Sequence, residues 1–225
     1  LCQAELPAEL RNFPTSTCII ATPLDAFRAA RLIFQSTPIG KICRTKDLVC
    51  FHLEDRLDEV KELLIGLGVK RWRIFTVFPV GRAAQDPALQ LTNEEFRRLM
   101  EYIKQTREEG RIRVDYGCEG FLGRYEGEVR NRFYGCRAGI SVGSVLADGS
   151  ISACASIRAD YHQGNIYKDD FWEVWQTRFE KFRDRAWMRT GQCADCSFFR
   201  YCQGNGMHLR DGDGRLLLCH LERLK

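Results

Sequence analysis

Apolar positions set the first elements. Leu57, Val60, Leu63, Leu64 and Leu67 recur at intervals of three and four, the spacing of one helix face, and Gly66 and Gly68 stand where such a helix ends. From Val69 to Val80 the period changes to two. Trp72, Ile74, Thr76 and Phe78 share one side of a segment rich in β-branched and aromatic residues, which predicts a strand. The loop Pro79-Val80-Gly81-Arg82-Ala83 closes it. Thr92 with Glu95 three residues on forms a capping box for a second helix with the apolar face Phe96, Leu99, Met100 and Ile103. Gly110 ends that helix, and Ile112-Arg113-Val114 opens another strand. Helix, strand, helix, strand predicts a parallel α/β sheet with too few units for a closed eight-stranded barrel.

The flanks read differently. Residues 1–47 show no clear period and are interrupted by Pro7, Pro14, Pro23 and Pro38. Only Ala26–Phe34 suggests a short helix, so this stretch is an unassigned extension. Beyond residue 118, Val145–Ile151 reads as a hairpin turning at Asp148-Gly149. Asp169 is the expected cap of a helix carrying Phe171, Trp172, Val174, Trp175, Phe179 and Phe182. Aromatics at helical spacing predict core rather than a ligand box, and Arg178 to Arg189 reads as the wet side of that helix. From Gly191 onward the chain is short loops rich in Cys, Gly and aromatics. Such a tail buries little apolar surface, and a metal centre would supply the missing cohesion. A domain boundary falls near residue 117.

Composition narrows the class. The 225 residues are 44% hydrophobic and 28% charged, ordinary globular usage, which excludes disordered and fibrous classes. Lys and Arg number 34 against 30 Asp and Glu, a net charge of +4 that calls for neither nucleic acid nor an anionic membrane. No apolar run approaches the roughly 18 residues of a membrane span. The opening Leu1-Cys2-Gln3-Ala4 has no basic region followed by an apolar stretch, so no export signal is expected. It also lacks Met, so the chain is expected to be a fragment. Eleven cysteines cannot all pair within one chain, and a reducing, cytoplasmic setting with metal or redox chemistry is expected. Cys2, Cys18, Cys43 and Cys50 show no ligand-like spacing and read as small buried hydrophobes.

The remaining thiols are patterned. Cys193-Ala194-Asp195-Cys196 is C-x2-C, Cys202 follows after five residues and Cys219 after sixteen more. Four thiolates suit tetrahedral zinc or an iron–sulfur cluster. Zinc usually has a second close pair, which is absent. A third reading has Cys193 and Cys196 cycling to a disulfide, although no thioredoxin-like strand-to-helix turn accompanies them. Cys136 and Cys154 bracket the hairpin and are expected to share a second site, which Cys118 could join. His52 and His162 read as surface or loop residues. His208 and His220 flank the last cysteine loop as hydrogen-bond partners of sulfur or backbone.

The order Cys136, Gly149-x4-Cys154, Cys193-x2-Cys196-x5-Cys202 and Cys219 resembles the SPASM domain, the C-terminal extension of many radical SAM enzymes. Gly164-Asn165-Ile166 ahead of the aromatic helix resembles it too. The stretch Gly68–Ile74 with the Pro79–Ala83 loop is similar to late βα units of the radical SAM partial barrel. The resemblance implies an α/β partial-barrel fragment of parallel βα units over 48–117, followed by a small Cys-rich SPASM-like α+β domain over 118–225. It assigns an auxiliary [4Fe-4S] cluster to Cys193, Cys196, Cys202 and Cys219, and a second cluster to Cys136 and Cys154, with Cys118 as a possible third ligand. It places Gly81 and Arg82 near the cofactor. In a complete enzyme of this type a radical made from S-adenosylmethionine acts on a peptide or protein, with an electron donor as partner and neither nucleic acid nor membrane.

Two departures stand out. Gly206 occupies the position where the family usually has a further Cys, one that normally serves the second cluster. The C-x3-C-x2-C signature that holds the S-adenosylmethionine cluster is nowhere in the chain. The expectation is therefore that these residues bind iron–sulfur clusters but do not cleave S-adenosylmethionine alone. Two other classes remain. One is a zinc-stabilised interaction module with Arg200, Tyr201 and His208 on its binding surface, and the other is the thiol redox protein.

Overall fold

In the computed structural model, which describes residues 20–21, 57–117 and 120–225, the chain divides into two units. One comprises Leu1–Val77, Asp86–Gly117 and Tyr125–Arg132; the other comprises Phe78–Gln85, Cys118–Arg124 and Phe133–Lys225. The expectations for Ala26–Phe34, for Cys2, Cys18, Cys43, Cys50 and Cys118, and for His52 lie outside the described residues.

The first unit is built on a three-stranded sheet. Strand β1 (Ile20–Ala21) pairs antiparallel with β2, while helix α1 (Leu57–Gly66) leads into strand β2 (Arg71–Ile74). Helix α2 (Asn93–Glu109) then connects β2 to strand β3 (Arg113–Tyr116), which pairs parallel with β2 in the register Trp72 opposite Val114. A parallel pair requires such a crossover. The capping box is formed, with Thr92 Oγ1 accepting from Glu95 N at 3.2 Å and Thr92 N donating to Glu95 Oε2 at 2.5 Å. Gly110 ends α2 in the left-handed conformation, φ 70°, where a Cβ would be strained.

The alternation survives beyond the strand. Trp72, Ile74 and Thr76 are all buried, but the strand covers only Arg71–Ile74, four of the twelve residues that the sequence suggested. Thr76 leaves the ladder and instead shares a 2.7 Å hydrogen bond with the Tyr116 hydroxyl. The α1 stripe also differs at one end. Leu67 is exposed past the helix terminus, while Lys61 is buried and held by Asp58 at 2.8 Å and Glu109 at 2.9 Å. Burial opposes that ammonium's charge, but the two carboxylates prevail and its pKa is raised.

The second unit carries a small antiparallel sheet, β4 (Ser144–Val145), β5 (Ser150–Ser152) and β6 (Gly164–Asn165), in that order. The hairpin forms as its Asp-Gly turn requires. Gly149 has φ +84°, and a Cβ there would come within 2.6 Å of the Tyr167 ring. The third strand was not legible in the sequence. Helix α3 (Phe171–Thr177) is capped by Asp170, which accepts from Glu173 N at 2.8 Å. The cap is not Asp169, whose carboxylate accepts from Asn165 N and pairs with Arg178 at 2.9 Å.

The expected single aromatic helix breaks at Arg178, and a separate turn α4 (Glu180–Arg183) follows. Val174, Phe179 and Phe182 enter the core with Ile151, Ala153, Tyr161, Met188 and Met207, while Trp172 is exposed. Arg185 is no part of a wet face. It is buried and donates to the carbonyls of Phe182, Cys136 and Ala138. The tail holds two more short helical turns, α5 (Phe199–Cys202) and α6 (His220–Arg223). No helix among the described residues is long and apolar enough to cross a membrane.

Candidate metal centre

The tail is folded by turns rather than by long elements. A 3₁₀ turn, Gly191–Cys193, delivers Cys193, and Cys196 starts the next turn by accepting from Phe199 N at 3.0 Å. Cys202 is the last residue of α5, after which Gln203, Gly204 and Asn205 have φ of 49°, 79° and 75°. Successive left-handed residues turn consecutive amides inward. Here Asn205 N donates to the Cys202 carbonyl at 3.1 Å, and the Gly204 and Asn205 N–H groups favour the Cys202 thiolate. Cys219 sits immediately before α6, and its sulfur receives the Leu221 and Glu222 N–H groups.

These four cysteines meet around one cavity of about 400 Å³, open mouth included. Phe121, Phe198, Phe199, Leu216 and Leu221 supply its apolar walls, and Asn205 its main buried polar group. All four thiols are free. Burial pushes the Cys202 thiol up to about 12 and raises that of Cys219. A thiol this reluctant to ionise in an apolar hollow is a poor nucleophile. It becomes a thiolate when a cation displaces its proton. The Lys225 ammonium, bound to Glu222 Oε1 at 2.6 Å, lies near Cys196 and Cys219. No three His, Cys, Asp or Glu side chains among the described residues stand in position to hold a single metal ion. All four cysteines line the one cavity.

Other expected site residues are placed elsewhere in this unit. Cys136 and Cys154 both pack, half-buried, against the core cluster around Phe179 and Phe182. Gly81 opens a 3₁₀ turn, Gly81–Gln85, with φ +62°, and Arg82 is its second residue. His208 and His220 are both buried. The His208 ring lies 4.8 Å from that of Phe78, and burial lowers its pKa to about 4, so it is neutral and its role is packing.

Two residues at the centre escaped the sequence reading. Arg210, in the loop after the 3₁₀ turn Met207–Leu209, is buried and donates to Cys193 Sγ at 3.4 Å. Asn205 ties the Cys202 turn to Leu218. An Asn-Gly pair signals a left-handed turn, so Asn205 had a trace in the sequence. Arg210, in a polar loop, had none.

Comparison with known proteins bears on this arrangement. The family model of SPASM, an iron–sulfur cluster-binding domain, matches residues 136–197. The match starts at Cys136 and takes in Cys154, Cys193 and Cys196, while Cys202 and Cys219 follow it.

The chain is 26% identical over 165 residues to the AdoMet-dependent heme synthase of Oleidesulfovibrio alaskensis, covering 65% of this chain and 41% of that protein. It thus spans about two fifths of the curated relative. Native anSMEcpe with bound AdoMet and Cp18Cys peptide superposes with a TM-score of 0.50 at 17% identity, over 88% of this chain and 56% of the other. That likeness concerns the fold alone. Streptococcus suis SuiB bound to S-adenosylmethionine aligns at 18% identity and a TM-score of 0.48 over 67% of this chain and 37% of its own. The chain is similar to radical SAM/SPASM proteins in sequence pattern, and residues 136–197 match the model of their iron–sulfur-binding domain.

Proposed function

We propose that Cys193, Cys196, Cys202 and Cys219 hold an auxiliary [4Fe-4S] cluster, and that the chain is the C-terminal part of a radical SAM/SPASM enzyme. The observation that carries this reading is the meeting of four thiols, twenty-six residues apart at the extremes, around one apolar-walled cavity beside a SPASM match. The donor set fits the group. Four thiolates are the usual ligands of such a cluster, and amides already directed at Cys202 and Cys219 are the hydrogen bonds that tune one. Zinc would need all four sulfurs about 2.3 Å from one point. No three His, Cys, Asp or Glu side chains among the described residues are placed around one such point.

Bound there, the cluster would supply one-electron transfer. The protein's part is to exclude water with Phe121, Phe198 and Phe199, to orient the thiols through the turns, and to balance charge with Arg210 and Lys225.

The rest of the reading follows the same family. Residues 48–117 are late βα units of a partial barrel, supported by the parallel β2–β3 pair joined through α2. Residues 118–225 are the auxiliary-cluster domain, and 1–47 an extension. Cys136 and Cys154, with Cys118, are the candidate ligands of a second cluster. Gly81 and Arg82 are the candidate contacts to S-adenosylmethionine, which would bind only together with a C-x3-C-x2-C segment supplied outside these residues. The substrate class is a peptide or protein, with a reductant as electron donor, in the cytoplasm. The name of the curated relative makes a porphyrin the competing substrate class.

Anaerobic reconstitution with iron and sulfide tests the central point. Brown protein with stoichiometric iron and sulfide is expected. Colourless protein that retains only zinc would establish the zinc module instead, and metal-free protein with a reversible Cys193–Cys196 disulfide would establish the redox protein.

A further inference from the structure

Arg210 is 2% exposed, and its guanidinium donates to four acceptors among the described residues. Nε donates to Gly204 O at 3.1 Å, and Nη1 to Gly214 O at 2.6 Å. Nη2 donates to Met188 O at 3.1 Å, Gly204 O at 2.8 Å and Cys193 Sγ at 3.4 Å. The guanidinium carbon lies 6.0 Å from the Trp187 ring centroid. Among the described residues no carboxylate pairs with this cation. The neighbouring Asp211 carboxylate is turned to Arg215, at 2.8 Å.

A guanidinium cannot shed its proton, and carbonyl dipoles alone compensate a buried charge poorly. The one acceptor of Arg210 that can become an anion is the Cys193 sulfur. Metal binding makes it one, because ligating thiols lose their protons. The fold has buried a permanent positive charge against the rim of the cysteine cavity, where an anionic centre would balance it.

We infer that Arg210 sets the reduction potential of the four-cysteine centre: its guanidinium holds Cys193 through an N–H···S bond and favours the more negatively charged, reduced cluster. This rests on the cluster reading above. Reduction adds one electron, taken from an external donor such as dithionite, with no bond made or broken. A nearby cation and a hydrogen bond to sulfur both stabilise the added charge and raise the potential. The same fork also fastens three tail loops, those at Met188, Gly204 and Gly214, so Arg210 is a positioning residue as well. Lysine could supply the charge but not the fork.

The experiment compares the reconstituted full chain with Arg210→Lys and Arg210→Gln. Iron and sulfide content is measured first, then the midpoint potential by an EPR-monitored titration. Loaded Arg210→Gln is expected at a lower potential. A tenfold loss of preference for the reduced state corresponds to about 59 mV for one electron. Arg210→Lys is expected between Arg210→Gln and the wild type. A loaded Arg210→Gln chain with the wild-type potential overturns the inference and leaves the cluster reading intact. A purely structural role would change loading but not the potential of the chains that load.

If neither variant assembles, the wild type still decides. With arginine labelled by 15N at the guanidinium nitrogens, pulsed EPR of the reduced chain is expected to show a 15N coupling to the cluster, and its absence overturns the inference. A wild-type chain that takes up no iron overturns the cluster reading and this inference together.

Discussion

Asn205 Nδ2 donates to the Leu218 carbonyl at 3.0 Å, and through this one bond the turn after Cys202 is fastened to the segment that leads into Cys219. The same side chain accepts from Phe121 N at 3.4 Å, so a single buried amide joins three loops of the cavity wall. Its backbone is left-handed, φ 75°, which Asn tolerates better than most residues.

Asn205→Ala is accordingly expected to destabilise the chain by about 2–4 kcal/mol, since it strips the buried Phe121 N–H and the part-buried Leu218 carbonyl of their partner and adds left-handed strain. Asn205→Gly keeps the backbone at ease and should cost about 1 kcal/mol less. Urea unfolding of the two variants beside the wild type checks both the size and the order.

Removing one ligand should remove the centre. Cys202→Ala is expected to lose roughly four irons per chain, a whole cluster's worth, and to lower the melting temperature, because the tail then lacks the centre that organises it. Cys154→Ala, against the separate core cluster, should keep that iron. Iron analysis with thermal melts reads both. Retention of full iron by Cys202→Ala would remove the four-cysteine assignment.

His208 gives the fold an acid-sensitive term. Its pKa falls from the ordinary 6.5 to about 4 on burial, so the unfolded chain binds the extra proton between those values. Stability from this group is complete above about pH 6.5 and is lost as the pH falls toward 4. The loss is on the order of 3 kcal/mol. His208→Phe should flatten that part of the stability profile relative to the wild type, as measured by urea unfolding at stepped pH.

In the other unit, Thr92→Ala should cost about 1 kcal/mol, because the reciprocal bonds with Glu95 close the start of α2. Thr92→Ser, which keeps the hydroxyl, should recover most of it. Unfolding midpoints of the two variants test this.

What could be read without coordinates was what neighbouring residues determine. The stripes of α1 and α2, the Thr92 box, the Gly110 terminus, the Asp148-Gly149 turn and the C-x2-C-x5-C pattern are all short-range. A period of 3.6 or 2, a cap three residues away or a turn dipeptide needs no knowledge of the rest of the chain. The cysteine order also carried the family resemblance.

Tertiary structure decided everything that depends on which distant segments meet. It ended β2 at Ile74, because β3 pairs with four residues only, and it gave the α3 cap to Asp170 because Asp169 was engaged by Asn165 and Arg178. It broke the aromatic helix at Arg178 and added β6 to the hairpin. It buried Lys61, Arg185 and Arg210, which their charge would place in water, because carboxylates, carbonyls and a sulfur from far along the chain were there to receive them. The meeting of Cys219 with the other three thiols around one cavity belongs with these. Local pattern reports what a residue prefers, whereas the partners that make an unfavourable burial tolerable are known only once the chain has folded.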